Sequence, residues 1–184
     1  MRRALFLACL TLGPASAVPP RMSDPPRTTF NLPARLSEAR PTLDLLVTVR
    51  LLDTMLEHGT LLPGAQGRAE LAGVLRTLRD QPTLGPLNAE RALNNLRAAL
   101  TSGQRQSLDA ARADHERRAD LLLARARLAT PNGAPNLTLS RYGFLVPGGP
   151  LLVRQVTANP TLNPYAGPGT NADLLARVLT RLAL

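Results

Sequence analysis

The stretch TLDLLVTVRLLDTMLEH, residues 42–58, decides the fold class. Leu45, Val49, Leu52 and Leu56 recur at 4-3-4 spacing, which a helix of 3.6 residues per turn gathers into one stripe. Leu46, Leu51 and Met55 widen that stripe, so this helix is expected at the centre of the molecule. Thr42 is a capping residue type, and Asp44 suits the positive N-terminal end. His58 falls in the last turn and Gly59 supplies the stop.

Downstream, the same period recurs. A second helix is predicted from Pro63 or Ala65 to Arg79, burying Leu71, Val74, Leu75 and Leu78. Gln81-Pro82 ends it, because the residue before proline resists helical geometry. A third runs from Pro86 or Asn88 to Leu100, with Leu93, Leu96, Leu100, Ala89 and Ala92 on one side. A fourth, longest and most charged, begins at Thr101 and reaches about Ala129. Thr101-Ser102-Gly103-Gln104 fits a capping box, in which Gln104 reaches back to the cap. Asp109 with Arg112, and Asp114 with Arg117 or Arg118, are favourable helical pairs. The apolar face of this helix is thin: Leu108, Ala111, Ala119, Leu122 and Ala126. A long helix with so narrow a seam is a projecting arm or the seam of a homodimer through residues 101–129.

Residues 130–169 change character, with Pro, Gly and Asn dominant. The apolar pieces 142–146 and 151–153 flank Pro147-Gly148-Gly149-Pro150, so a hairpin is one reading and an ordered loop wrapped on the helices is the preferred one. A last helix, Asn171 to Leu182, closes the core with Leu174, Leu175, Val178, Leu179 and Leu182. The expected fold is therefore all-α. It is a bundle of four or five helices over residues 42–184, with a flexible Pro/Arg-rich arm at 18–41 and a long Pro/Gly-rich loop before the C-terminal helix.

The N-terminus carries an address. Met1-Arg2-Arg3 is a basic start, Ala4 to Leu12 is uncharged and Leu-rich, and Gly13-Pro14 breaks it before Ala15-Ser16-Ala17. That order is a secretory signal peptide over residues 1–17, with Ala15 and Ala17 at the small-x-small site and Val18 as the new start. The apolar run is about nine residues, against roughly 20 for a membrane-spanning helix. No later stretch reaches spanning length, so no transmembrane segment is expected after cleavage, and the location is periplasmic or secreted. The single cysteine, Cys9, lies in the signal. A lipoprotein reading at Cys9 leaves too short an apolar core before it. Its loss removes disulfides, thiol catalysis and cysteine metal sites together.

Lysine and isoleucine are absent, and all 22 basic residues are arginine. A GC-rich coding sequence explains that bias without any demand for guanidinium chemistry. Removing Arg2 and Arg3 lowers the net charge from +9 to +7, which favours acidic partners such as anionic envelope polymers or lipid headgroups. Three Phe, two Tyr and no Trp leave no stacking platform, so nucleic acid is not an expected partner.

Catalytic constellations do not emerge. His58 ends a helix; His115 lies between Asp114 and Glu116, but adjacent helical residues point about 100° apart and cannot converge on one metal. There is no H-E-x-x-H and no G-x-S-x-G, and without lysine no Ser-Lys dyad. Gly148-Gly149 lacks the lysine of a phosphate loop. Asn136-Leu137-Thr138 fits a glycosylation sequon, whose physical content here is a surface loop. No catalytic residue, cofactor or metal is assigned.

Three helix starts place Leu four residues before an amide: Leu62 and Gln66, Leu84 and Asn88, Leu100 and Gln104. The third reads L-T-x-x-Q through Leu100, Thr101 and Gln104. Over residues 100–128 the chain resembles the Spy-type periplasmic chaperones, which the same short motif marks. Otherwise it looks like uncharacterised exported helical proteins of high-GC bacteria. The chaperone resemblance implies a dimeric holdase for unfolded clients, with Arg105, Arg112, Arg117 and Arg118 on a client-facing surface. The earlier copies keep only Leu and an amide, and region 130–169 has no counterpart in those chaperones. The broader expectation is a non-enzymatic protein of binding or assembly in the cell envelope, with an unknown protein or anionic partner. A hydrolase built around His115 or the 142–153 loop is the remaining alternative.

Overall fold

The computed structural model describes residues 32–129 and 136–183, which form seven helices and, among those residues, no strand. They are α1 (Leu32–Glu57), α2 (Ala65–Asp80), α3 (Pro86–Ala98), α4 (Ser102–Ala129), α5 (Leu137–Leu145), α6 (Gly149–Ala158) and α7 (Thr170–Ala183). The signal segment, its cleavage residues Ala15, Ala17 and Val18, and most of the arm lie outside the described residues.

α1 is the axis of the molecule. Leu43, Leu45, Leu46, Val47 and Val49 are fully buried on it, and α3, α4, α5, α6 and α7 all pack around it. Its start departs from expectation. Residues 32–41, assigned above to the flexible arm, are helical, and Pro41 lies inside the helix. Thr42 is therefore a buried interior residue, not a cap. The reason is visible in the pattern upstream of the proline. Leu36, Ala39 and Leu43 continue the 3-4 spacing across it and pack on the core, which outweighs the one missing backbone donor.

The C-terminal end of α1 is built as the glycine predicts. Gly59 takes φ +65°, its N–H donates to the Leu56 carbonyl at 3.2 Å, and Thr60 N–H donates to the Met55 carbonyl at 2.9 Å. Those two bonds satisfy the last carbonyls in the 6→1, 5→2 pattern that ends many helices.

The second departure is region 130–169. Among its described residues, the apolar pieces read as a loop or hairpin lie in two short helices, α5 and α6, while residues 159–169 are the ordered loop wrapped on the helices. Tyr142 and Leu145 on α5, and Leu152, Val153 and Val156 on α6, are buried at helical spacing. Pro147-Gly148-Gly149-Pro150 does make a turn, but between helices. Gly148 and Gly149 take φ +92° and +62°, and Pro150 falls in the first turn of α6, where its missing N–H costs nothing. A Cβ on Gly143 would meet Pro150 Cγ at 3.1 Å, so this small residue lets the two helices close on each other. The bundle thus has seven helices among the described residues, where four or five were expected.

Beyond α6, residues 159–169 are pinned to the opposite end. Asn163 donates to the carbonyls of Leu78 and Gln81 at 2.8 and 2.6 Å, and its own carbonyl accepts from Tyr165 N–H at 2.9 Å. Leu84 N–H donates to the Thr161 carbonyl, and Thr83 bridges Leu162. These bonds bring the fully buried Tyr165 ring into the core.

Candidate functional site

Asp44 is the node from which the candidate site is built. It sits at the middle of α1 and turns its carboxylate toward α4 and α5. Arg112 Nη2 from α4 donates to it at 2.5 Å, and the Tyr142 hydroxyl from α5 donates at 2.8 Å. Arg40 approaches from the preceding turn of α1 at 3.8 Å. The pairing then propagates. Arg112 Nε donates to Glu116 at 3.0 Å, Arg141 reaches Glu116 at 3.4 Å, and the same Arg141 reaches Asp120 at 2.9 Å. Three arginines and three carboxylates alternate along one ladder, so its formal charge is zero.

This ladder floors an open groove of about 1120 Å³ between the first half of α1, the second half of α4 and the start of α5. Pro33, Leu36, Leu123, Ala124, Leu137 and Leu145 supply apolar walls. Asn136 shapes the rim: its side-chain oxygen accepts from Thr138 and Leu139 N–H at 3.1 and 3.2 Å. The sequon asparagine is therefore the N-cap of α5.

Burial sets the protonation of the groups here. It pushes the Tyr142 phenol far above its usual range, and the Asp44 charge and hydrogen bond push the same way. Tyr142 is thus a permanent donor. Burial lowers the affinity of Arg112 for its proton, but the bonds and charges of Glu116 and Asp44 outweigh it and raise the net value. His115 stands just behind the groove. Its Nε2 donates to the Leu145 carbonyl at 3.3 Å, beside Arg50, whose Nη1 donates to the Leu145 and Phe144 carbonyls at 2.9 and 3.3 Å. Burial first, and then the Arg50 charge, hold His115 below its ordinary value. His115 thus serves as one of the donors that close the end of α5.

The four candidate arginines do not share a surface. Arg105 faces inward and donates to the carbonyls of Leu100 and Arg97 at the end of α3. Arg112 belongs to the ladder. Arg117 and Arg118 point outward, 75% exposed, and both pair with Asp114 at 3.2 and 2.7 Å. The Asp109–Arg112 pair expected along α4 is not the pairing observed: Asp109 takes a two-pronged contact from Arg97 on α3 at 2.9 and 3.0 Å.

The L-T-x-x-Q residues form a complete cap. Thr101 N–H donates to Gln104 Oε1 at 3.0 Å, and Gln104 N–H donates to Thr101 Oγ1 at 3.3 Å. Gln104 Nε2 also donates to the Leu62 carbonyl at 3.0 Å, tying the start of α4 to the approach of α2. Leu100 is buried. The two earlier copies differ: Leu62 is 77% exposed, whereas Leu84 is buried, so the recurrence is one of helix-start chemistry and not of equivalent structural units.

One further cluster was not visible in the sequence. Asp53, buried on α1, is held by Arg177 and Arg181 of α7, and Arg181 also reaches Glu57. Among the described residues, no group of three or more His, Cys, Asp and Glu is placed to hold a metal ion, and no helix is long and apolar enough to cross a membrane. No family model, curated protein or solved structure matches the chain.

Proposed function

We propose that this chain is a non-enzymatic binding or assembly protein of the cell envelope, exported after loss of residues 1–17, that takes a protein partner into the groove between α1, α4 and α5. The observation that carries the reading is the neutralised floor under apolar walls. A catalytic cleft keeps an acid, base or nucleophile poised and uncommitted. Here the carboxylates and guanidiniums are spent on each other. A partner that buries apolar side chains against Leu36, Leu123 and Leu137 displaces water without having to supply a counter-charge.

A photo-crosslinking residue at Leu123, introduced in the native host, tests this directly. A single adduct mass that Ala124→Arg removes, with the fold intact, supports the groove. No adduct refutes it, as does turnover on a hydrolase panel that His115→Ala abolishes.

The chaperone reading stands second. Its motif residues are accounted for as a cap, so what supports it is the outward face of α4, where Leu121 and Leu122 lie exposed among arginines. Dose-dependent, salt-sensitive suppression of client aggregation by a dimer favours it. A monomer without effect on light scattering sinks it.

A further inference from the structure

We infer that the outward face of α4, from Arg117 to Arg125, is a docking surface for an anionic lipid bilayer. At about 100° per residue, Arg117, Leu121, Arg125, Arg118 and Leu122 fall within an arc of about 140°. The ladder and groove residues of the same helix, Arg112, Glu116, Asp120 and Leu123, lie on the opposite side. The helix therefore has one face committed to the body and one whose pairings, among the described residues, stay within α4 itself. Leu121 and Leu122 are 64% and 46% exposed there, which is unusual for adjacent leucines.

Charge selects the occupant. The face carries three arginines against one acid, Asp114, which Arg117 and Arg118 share. A second copy would bring the same net positive charge against it, so self-association through this face is disfavoured. Nucleic acid would satisfy the guanidiniums but not the leucines, and the face has no aromatic side chain. A bilayer satisfies both. Guanidiniums fork onto headgroup phosphates while leucines between them enter the acyl boundary. The aliphatic stems of the arginines lie along the same depth. Contact of this kind is peripheral, in keeping with the absence of a spanning helix among the described residues. The inference is independent of the groove, whose α4 lining lies on the other side apart from Ala124 at the edge next to Arg117.

The test uses the chain as its host releases it, its N-terminus fixed by mass, in co-sedimentation with phosphatidylglycerol vesicles. Phosphatidylcholine vesicles and soluble polyphosphate serve as comparison arms. Binding to phosphatidylglycerol, weak on phosphatidylcholine and weakened by salt, is expected. Leu121→Gln with Leu122→Gln should weaken it about tenfold. Each of Arg117→Gln, Arg118→Gln and Arg125→Gln should weaken it about fivefold. All five positions are exposed, so helicity and melting temperature should stay unchanged and serve as the folding control. Three results overturn the inference: no binding to phosphatidylglycerol, binding as tight to polyphosphate and indifferent to the leucine pair, or capture of an unfolded protein client by this face while vesicles are ignored.

Discussion

Replacing Asp44 by alanine removes one carboxylate from α1 and with it the polar link between α1, α4 and α5. Asp44 accepts from Arg112 at 2.5 Å and from the Tyr142 hydroxyl at 2.8 Å, with Arg40 at 3.8 Å. A hydrogen bond to a charged group contributes about 1.5–3 kcal/mol. Two such bonds do not simply add here. Arg112 keeps Glu116 in the variant, and the Asp44 side chain is 18% exposed, so water reaches the edge of the cluster. The buried Tyr142 hydroxyl, by contrast, has no other partner among the described residues and is left unsatisfied. The net cost is about 2–3 kcal/mol. At 2–4 °C per kcal/mol for a chain of this size, the melting temperature should fall by roughly 5–10 °C.

Urea unfolding followed by circular dichroism measures this, and a double-mutant cycle apportions it. Tyr142→Phe alone should cost about 1 kcal/mol. In the Asp44→Ala background it should cost close to nothing, giving a coupling of about 1 kcal/mol. Asp44→Asn keeps an acceptor for Tyr142 but no charge for Arg112, and should fall between wild type and alanine. If Asp44→Ala lies within about 0.5 kcal/mol of wild type, or the two substitutions add, the ladder is a surface decoration and the argument that it organises the groove fails.

Gln104→Ala should cost about 1 kcal/mol through the lost cap, with slightly more from the freed Leu62 carbonyl; thermal melts measure it, and no loss would mean that the reciprocal bonds do not persist. Gly148→Ala forces a side chain into φ +92° with its Cβ 3.2 Å from Leu152, so a loss of about 1–2 kcal/mol is expected by urea unfolding, and a neutral result would show that the α5–α6 turn adjusts freely. Tyr165→Phe removes a buried hydroxyl with no partner among the described residues, whose phenol burial pushes far up; stability should stay level or rise by about 1 kcal/mol, and a clear loss would reveal a bonded hydroxyl. His115 should titrate by NMR below its ordinary 6.5, because burial and Arg50 oppose its charge. The folded state then binds that proton less readily than the unfolded chain, so this site leaves stability untouched above about pH 6.5 and erodes it as pH falls below. His115→Gln should flatten that part of the pH profile, and an unchanged slope between pH 7 and 5 would refute the assignment.

The central helix was legible because its stripe is dense enough to outvote everything nearby. What hid its first ten residues was Pro41, read as a boundary although Leu36 and Ala39 carry the stripe past it. α5 and α6 were hidden by composition: each is short, and the Pro and Gly between and around them dominate a window longer than either helix. Their buried residues have helical spacing, and the sequon asparagine was itself the start signal. The groove was not legible at all. Its key contacts join Asp44 to residues 68 and 98 positions away, and nothing local in the chain marks Asp44 as their meeting point. Along α4 the opposite error arises: Asp109 with Arg112 satisfies the local rule, yet Asp109 is taken by Arg97 across a helix boundary.

Arginine is where composition and structure part most clearly. A net charge of +9 suggests a protein made to meet anions. Yet α5 and α6 have no basic residue in their last turns, and guanidiniums of α1 reach across to close them: Arg50 to the Leu145 carbonyl, beside His115 of α4, and Arg35 to the Ala158 carbonyl at 2.7 Å. Arg105 of α4 does the same for α3, and the Asn163 amide does it for α2. Each of these ends exposes carbonyls and the negative pole of a helix, and at α3, α5 and α6 a long guanidinium from a neighbouring helix answers both at once while fastening two helices together. In a chain without lysine, one residue type therefore serves as tertiary helix cap, ladder member and outward charge. Counting arginines cannot separate these roles; the carbonyl or carboxylate each one reaches can. By that criterion the capping and ladder arginines belong to the fold, whereas Arg117 and Arg118, which share the one carboxylate of Asp114, keep net positive charge turned outward beside exposed leucines on α4.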